Sequence, residues 1–316
     1  MKTILVSGGC GYQGSVLIPK LLKMGYKVIS IDVKWFGDFL PKHKNLLNIK
    51  CDIKDIEKIS LKNIQTIIHL SSISNDPMSE LDKNLSWETS ALGTMNLVNW
   101  AIKSRVKKII YASSGSVYGI KKEKNVHEEL KLEPISLYNK VKMITERVLL
   151  SFKDKIDVII VRPGTVCGYS PRMRYDLTVN ALCYSALTKK EIKVFGGKQI
   201  RPNIHIQDLI SAIDFLIFSK KKLKHNIYNI GFENLKISEI ANKIKKRTGA
   251  KIRVNKNKDI RSYRQDSSRF LRLGFKPKYN VDSAINELIY FFKTKTKLNF
   301  TSKNFNLLRM KKLDIK

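Results

Sequence analysis

Apolar positions along this chain follow two spacings in turn. Residues 3–7 form a continuous apolar, β-prone run, glycines follow, and then Val16 to Met24 carries the 3.6-residue period of a helix and closes at Gly25. The pattern repeats. Strands are predicted at Lys27 to Ile31, Leu46 to Lys50 and Thr66 to Leu70, with a helical stretch from Ile53 to Ile59 between the last two. A long helical pattern through Leu92, Met95, Leu97, Val98, Ala101 and Ile102 leads into a strand at Lys108 to Ala112. A helix from Tyr138 to Phe152 and a strand from Asp157 to Val161 complete this half. Strands alternating with helices predict an α/β fold of Rossmann type, a doubly wound parallel sheet.

After Arg162-Pro163-Gly164 the alternation becomes irregular. Helices are expected at Asp176 to Leu187, Asp208 to Phe218, Ser238 to Thr248 and Val281 to Phe292, with short strands near Ile192 to Phe195 and Ile227 to Ile230. The expected organisation is a nucleotide-binding domain over 1–165 and a smaller α/β substrate domain over 166–298. Some segments, such as 227–231, could return to the first domain. A loosely held basic tail is expected over 299–316.

Composition narrows the class. A chain of 316 residues with 43% hydrophobic residues can fill two cores. The opening apolar run is too short for an export signal, and the longest apolar helix candidate, Leu209 to Phe218, is interrupted by Asp214. A cytoplasmic protein is expected. Cys10, Cys51, Cys167 and Cys183 show no metal-ligand spacing, so reduced thiols and no metal are expected. The formal net charge of +33 invites a nucleic-acid reading. The lysines are spread along the chain without a recognition motif, however, which favours solvated faces that also attract polyphosphate ligands.

Candidate chemistry begins at Ser7-Gly8-Gly9-Cys10-Gly11-Tyr12-Gln13-Gly14, between the first strand and first helix. Glycines there let the backbone turn and approach a pyrophosphate at the helix N-terminus. Asp32 ends the second strand, where a carboxylate accepts from a ribose 2′-OH and repels a 2′-phosphate, so NAD is favoured over NADP, although Lys34 stands nearby. Asp52, with Ile53 beside it, follows the third strand and either reaches an adenine edge or caps a loop. His69, Leu70, Ser71 and Ser72 follow the fourth, on the side where strand ends face a ligand.

Tyr138 and Lys142 are four apart on a predicted helix and share a face. In so lysine-rich a chain the spacing says little, since Tyr118 and Lys122 repeat it, but only Tyr138 opens a helix. To act as a base near neutrality a tyrosine must fall from about 10 to about 7, a change of about 4 kcal/mol. An ammonium about 4 Å away at an effective dielectric of about 20 supplies that much. Ser114, at the end of the fifth strand, offers a hydroxyl to the reacting oxygen.

With these motifs the chain resembles the extended short-chain dehydrogenase/reductase family, in particular its nucleotide-sugar epimerases. The likeness spans about residues 3–292. It rests on the glycine loop, Ser114-x-x-Val117-Tyr118-Gly119, Tyr138-Asn139-Lys140-x-Lys142, Arg162-Pro163-Gly164 and the segment Arg201 to Asp208. The resemblance implies that Tyr138 is the acid/base and that Lys142 lowers its pKa and holds the nicotinamide ribose. It also implies that Ser114 or Ser116 positions the sugar hydroxyl, and that Pro163 sits beside the nicotinamide. Asn180 and Arg201 would hold the nucleotide diphosphate, with Phe195 near the base. Ser90 and Thr165 stand where the family often has Asn, so they are expected against cofactor and substrate respectively. The late phosphate-binding arginine falls on Lys256 unless Arg261 or Arg264 replaces it. Arg172 and Arg174 are placed with the substrate-binding candidates, where they either clamp phosphates or staple the domains. Family dehydratases carry an Asp-Glu pair where Gly115 and Ser116 stand, so dehydration is disfavoured.

The expected activity is NAD-dependent epimerisation of a nucleotide-linked sugar at C4, by a homodimer paired through residues 82–104 and 138–152. A one-way dehydrogenase or 4-keto-sugar reductase is the alternative within the class. A non-catalytic NAD- or RNA-binding module is the alternative outside it.

Overall fold

The computed structural model describes residues 2–219, 223–256, 261–294 and 300–315. Strand β1 (Thr3–Ser7) runs into helix α1 (Gly14–Lys23), and β2 (Lys27–Asp32) and β3 (Leu46–Lys50) follow. The expected helix after β3 is a 3-10 turn, Ile53–Lys58, capped by Asp52, whose side chain accepts from the Lys54 N–H. Then come β4 (Ile64–His69), α2 (Asp76–Leu81), α3 (Lys83–Trp87), a π turn over Glu88–Leu92, α4 (Gly93–Lys103) and β5 (Lys108–Ala112). Helix α5 (Leu137–Leu150) carries Tyr138 in its first turn and leads to β6 (Asp157–Pro163).

These strands form a parallel sheet in the order β6-β5-β4-β1-β2-β3. Its residues alternate between two cores, as a sheet covered on both faces requires. Ile4, Val6 and Ile68 face one cluster, while Leu5, Ile67 and Ile109 face the other.

The second half begins with β7 (Thr165–Cys167), α6 (Thr178–Lys189), β8 (Glu191–Phe195), β9 (Ile200–His205) and α7 (Ile206–Phe218). Strand β10 (Ile227–Ile230) then returns and pairs parallel to β6 as the seventh strand of the main sheet. The remaining elements are β11 (Glu233–Lys236), α8 (Ile237–Thr248), β12 (Lys251–Asn255), α9 (Ser268–Leu271), α10 (Val281–Thr294) and α11 (Asn306–Lys312). Strands β11, β9 and β7 make a three-stranded sheet, and β12 and β8 pair in parallel. The two halves share one continuous apolar cluster, which runs from Leu17 and Ile18 to Ile213 and Leu288.

The expectation of a loose tail is not what residues 300–315 show. Phe300 and Phe305 join a ring cluster with Tyr184 and Phe292, and Met310 is fully buried against Ile73 and Met78. Arg309 donates to the carbonyl of Trp35 at 2.7 Å. The apolar residues among the cations hold the segment against both halves. Among the described residues no helix is long and apolar enough to cross a membrane.

Candidate active site

A cavity of about 390 Å³ opens along the C-terminal ends of the main-sheet strands. The strand order reverses between the paired strands β1 and β4, and at such a switch point open α/β sheets take ligands. The glycine loop forms one wall. Gly8 has φ +74°, and a Cβ there would lie 2.7 Å from the Ser71 nitrogen. A Cβ on Gly14 would lie 2.3 Å from the Gly9 carbonyl oxygen. Both positions therefore need glycine for the loop to close against its neighbours. Gly11 differs: a Cβ there would meet only the Gly8 carbonyl oxygen, at 3.1 Å, on the edge of the cavity.

Asp32 anchors the loop from β2, accepting from the backbone N–H of Cys10 at 3.0 Å and of Lys34 at 2.6 Å. Burial pushes its carboxyl upward, and those two N–H groups oppose the shift. Lys34 is turned to Asp38, which it pairs at 2.8 Å. Gly8, Gly11, Tyr12, Gln13, Gly14, Asp32, Asp52, Ile53, Leu70, Ser71, Ser72 and Pro163 all line the cavity. The buried Oε1 of Gln13 has no hydrogen-bond partner among the described residues. A glycine cradle at a helix start, an orphaned amide oxygen and a carboxylate ending β2 fit a dinucleotide.

Tyr138 lines the same cavity with Ser114 and Ser116. Ser136 caps α5, accepting from the Asn139 N–H, which fixes Tyr138 at the helix entrance. Ser114 and Ser116 share a hydrogen bond at 2.8 Å, and Ser116 donates to Asn139 Oδ1. Burial pushes the Tyr138 hydroxyl up to about 12. A hydrogen bond with Ser114 pulls it down, Asp76 pushes it up, and Arg174 and Arg261 pull it down.

Lys142 stands differently from the sequence expectation. It is 4% exposed, lies outside the cavity wall, and donates to the Ala112 carbonyl at 2.8 Å with its ammonium 4.8 Å from the Tyr111 ring centre. Burial lowers it to about 7, with Glu146 opposing. The cations acting on Tyr138 here are arginines from the second half.

Those arginines assemble from distant segments. Arg174 pairs with Asp176 through Nε at 3.0 Å and through a second nitrogen at 2.7 Å, and Asn75 donates to the same carboxylate at 2.9 Å. Arg261 donates to Asp76 at 3.3 Å from two nitrogens, and Arg201 donates to the carbonyl of Arg261. All three arginines, with Thr165 and Arg172, line the cavity.

Three further expected residues fall outside it. Asn180 is fully buried and satisfied by protein: its Oδ1 accepts from the Gly168 N–H at 3.1 Å, and its amide donates to Tyr12 and to the Arg174 carbonyl. Phe195 is 55% exposed at the end of β8, on the surface. Ser90 is buried in the π turn, where its hydroxyl meets Ser72 at 3.2 Å, so only Ser72 reaches the wall. His69 is likewise withdrawn, held between Ser7 at 2.6 Å and Thr94 at 2.8 Å.

Sequence reasoning passed over Asp76, Asp176, Trp35, Phe36 and Asn306, all on the wall. The Arg174-x-Asp176 spacing and the Asn75-Asp76-Pro77 helix start were available signals. All four cysteines are free, and no metal-ligating cluster occurs among the described residues.

Comparison with known proteins agrees with this geometry. The model of the NAD dependent epimerase/dehydratase family matches residues 4–231. A UDP-glucose 4-epimerase of Lactobacillus helveticus is 28% identical over 320 residues, covering 89% of this chain and 94% of that one. A putative UDP-arabinose 4-epimerase of Arabidopsis thaliana is 27% identical over 80% of this chain, which spans 66% of the plant protein's length. The crystal structure of a UDP-glucose 4-epimerase from Thermotoga maritima, solved with UDP-glucose, superposes with a TM-score of 0.84 at 26% identity, over 92% of this chain and 99% of that one. The chain belongs to the NAD-dependent epimerase/dehydratase family.

Proposed function

We propose that this protein is an NAD-dependent nucleotide-sugar 4-epimerase. The observation that carries the proposal is a single cavity that joins a dinucleotide cradle to Tyr138, Ser114, Arg174, Arg201 and Arg261. The glycine loop, Asp32 and Ser72 hold the cofactor. NAD, when bound, supplies reversible uptake and return of hydride at the sugar carbon.

The chain's own residues supply the rest. Ser114 orients the sugar hydroxyl toward Tyr138. Tyr138 accepts the hydroxyl proton as the carbonyl forms and returns it when the alcohol is restored. Burial favours the protonated hydroxyl, and Arg174 and Arg261 favour release of its proton. Arg201 and Arg261 neutralise the diphosphate of the nucleotide sugar, and the Asp76 contact to Arg261 is exchanged for that ligand. Gly115 and Ser116 follow Ser114 with no carboxylate between them, which supports epimerisation over dehydration.

Four free cysteines support a cytoplasmic location. The exposed Trp87, Leu92 and Met95, beside and on α4, support a homodimer through α4 and α5. The substrate class is tested by incubating the protein with UDP-, GDP- and CDP-sugars and separating the C4 epimers by chromatography. Epimer formation from at least one is expected, and its absence from all of them contradicts the proposal.

A further inference from the structure

Two arginines of this protein are almost equally buried, each 2% exposed, yet they are satisfied in opposite ways. Arg162 is saturated: Nε donates to Glu146 at 2.9 Å, a terminal nitrogen donates to the other Glu146 oxygen at 2.6 Å, and another donates to the Tyr118 hydroxyl. Arg172 has no carboxylate within ion-pair distance among the described residues. Its Nε has no hydrogen-bond partner there, and a single bond runs from a terminal nitrogen to Asn306 Oδ1. Its guanidinium stacks 4.1 Å from the centre of the Phe36 ring. Burial lowers its affinity for its proton to about 9, and neighbouring Arg174 adds to that effect while Asp176 and Asp32 oppose it. A buried cation left so short of counter-charge is costly unless an anion joins it.

The surroundings of Arg172 say which anion. Phe36 lies just past Asp32 at the end of β2, and Asp32 is among the charges that act on Arg172. Both line the half of the cavity built by the glycine loop. Asn306 lines it too, although it lies well outside the span matched by the family model, and its amide donates to Ser74 at 2.9 Å. Below Asn306, Met310 and Arg309 fix α11 to the first half.

We infer that Arg172, held in place by Asn306 of the C-terminal segment, is the counter-charge for the cofactor's diphosphate, so that residues 300–315 are a working part of the cofactor site. This moves Arg172 from the substrate side, where the sequence placed it, to the cofactor side. It rests on the NAD reading of the glycine loop.

The test is calorimetric titration of the full chain with ADP-ribose, adenosine and UDP. Arg172→Gln should weaken ADP-ribose by about tenfold or more, the loss of a charge-assisted contact, while adenosine and UDP stay within about twofold. Arg172→Lys should recover most of the loss. Asn306→Ala, which keeps the cation but frees it, should weaken ADP-ribose by about threefold and leave UDP unchanged. Thermal melting of each variant separates these effects from unfolding, and Arg172→Lys and Asn306→Ala serve if Arg172→Gln does not fold. Unchanged ADP-ribose affinity in the folded variants, or a loss confined to UDP, overturns the inference. A wild-type chain that binds neither ADP-ribose nor NAD overturns the cofactor reading itself.

Discussion

The two halves of the cavity are built on different plans. The cofactor half is centred on a local element: a run of eight residues from Ser7 to Gly14 turns between β1 and α1 and forms one wall. The proposed substrate half is collected from Asp76, Arg174, Asp176, Arg201 and Arg261, which lie far apart in the chain and meet on one cavity wall. Its cations are partly neutralised in advance, Arg174 by Asp176 and Arg261 by Asp76. A backbone cradle is specific by shape, whereas a set of paired charges is specific by what it exchanges. Tyr138 stands between the two.

That comparison can be broken most sharply at Tyr138. Tyr138→Phe removes the proposed proton acceptor and leaves both walls intact, so turnover should fall by about 10²–10⁴-fold while the affinities for NAD and UDP change little. Steady-state kinetics beside titration with both ligands checks this. Next is Gly14→Ala, whose added Cβ would lie 2.3 Å from a backbone oxygen. Affinity for NAD should drop by more than about tenfold with UDP binding preserved, as titration would show. On the other half Arg261→Gln should do the reverse, raising KM for the nucleotide sugar by about tenfold with NAD retained.

The smallest effect concerns Lys142. Its folded pKa of about 7 lies below the ordinary value of 10.5, so the unfolded chain binds more protons between those limits and stability from this group rises with pH across them. The burial cost is full below about pH 7 and gone above the unfolded value. Lys142→Met should therefore gain most in melting temperature relative to wild type near pH 6, and the difference should move against the variant as pH approaches 10. A difference that does not vary with pH would show that Lys142 is not titrating as described.

The same contrast explains what the sequence revealed. The glycine loop, Asp32 and the alternation of strands and helices are short-range patterns, so they were legible, as was the placement of Tyr138 at the start of α5. The family resemblance makes Lys142 the partner of Tyr138, with which it shares a helix face. That face also meets β5, and the Ala112 carbonyl and Tyr111 ring take the ammonium. Asn180 looked like a ligand group, but the Gly168 N–H and the Tyr12 hydroxyl use it for the fold. Arg261 entered only as one of three choices, since nothing local distinguishes it from Lys256 or Arg264 before Asp76 is brought beside it. The last segment reads as a tail because five cations stand against one acidic residue, Asp314, over 299–316. The spacing of Phe300, Phe305 and Met310, which docks it, becomes meaningful only once Tyr184 and Ile73 are in place.

In the proposed epimerisation hydride leaves and returns to the same sugar within one enzyme. The most direct measurement follows UDP-glucose incubated with the protein and a catalytic amount of NAD, with the C4 epimers resolved by NMR and reduced nicotinamide followed by absorbance. Many turnovers of epimer with no net build-up of reduced cofactor are expected. One reduced nicotinamide per sugar consumed, with an oxidised sugar and no epimer, would contradict it.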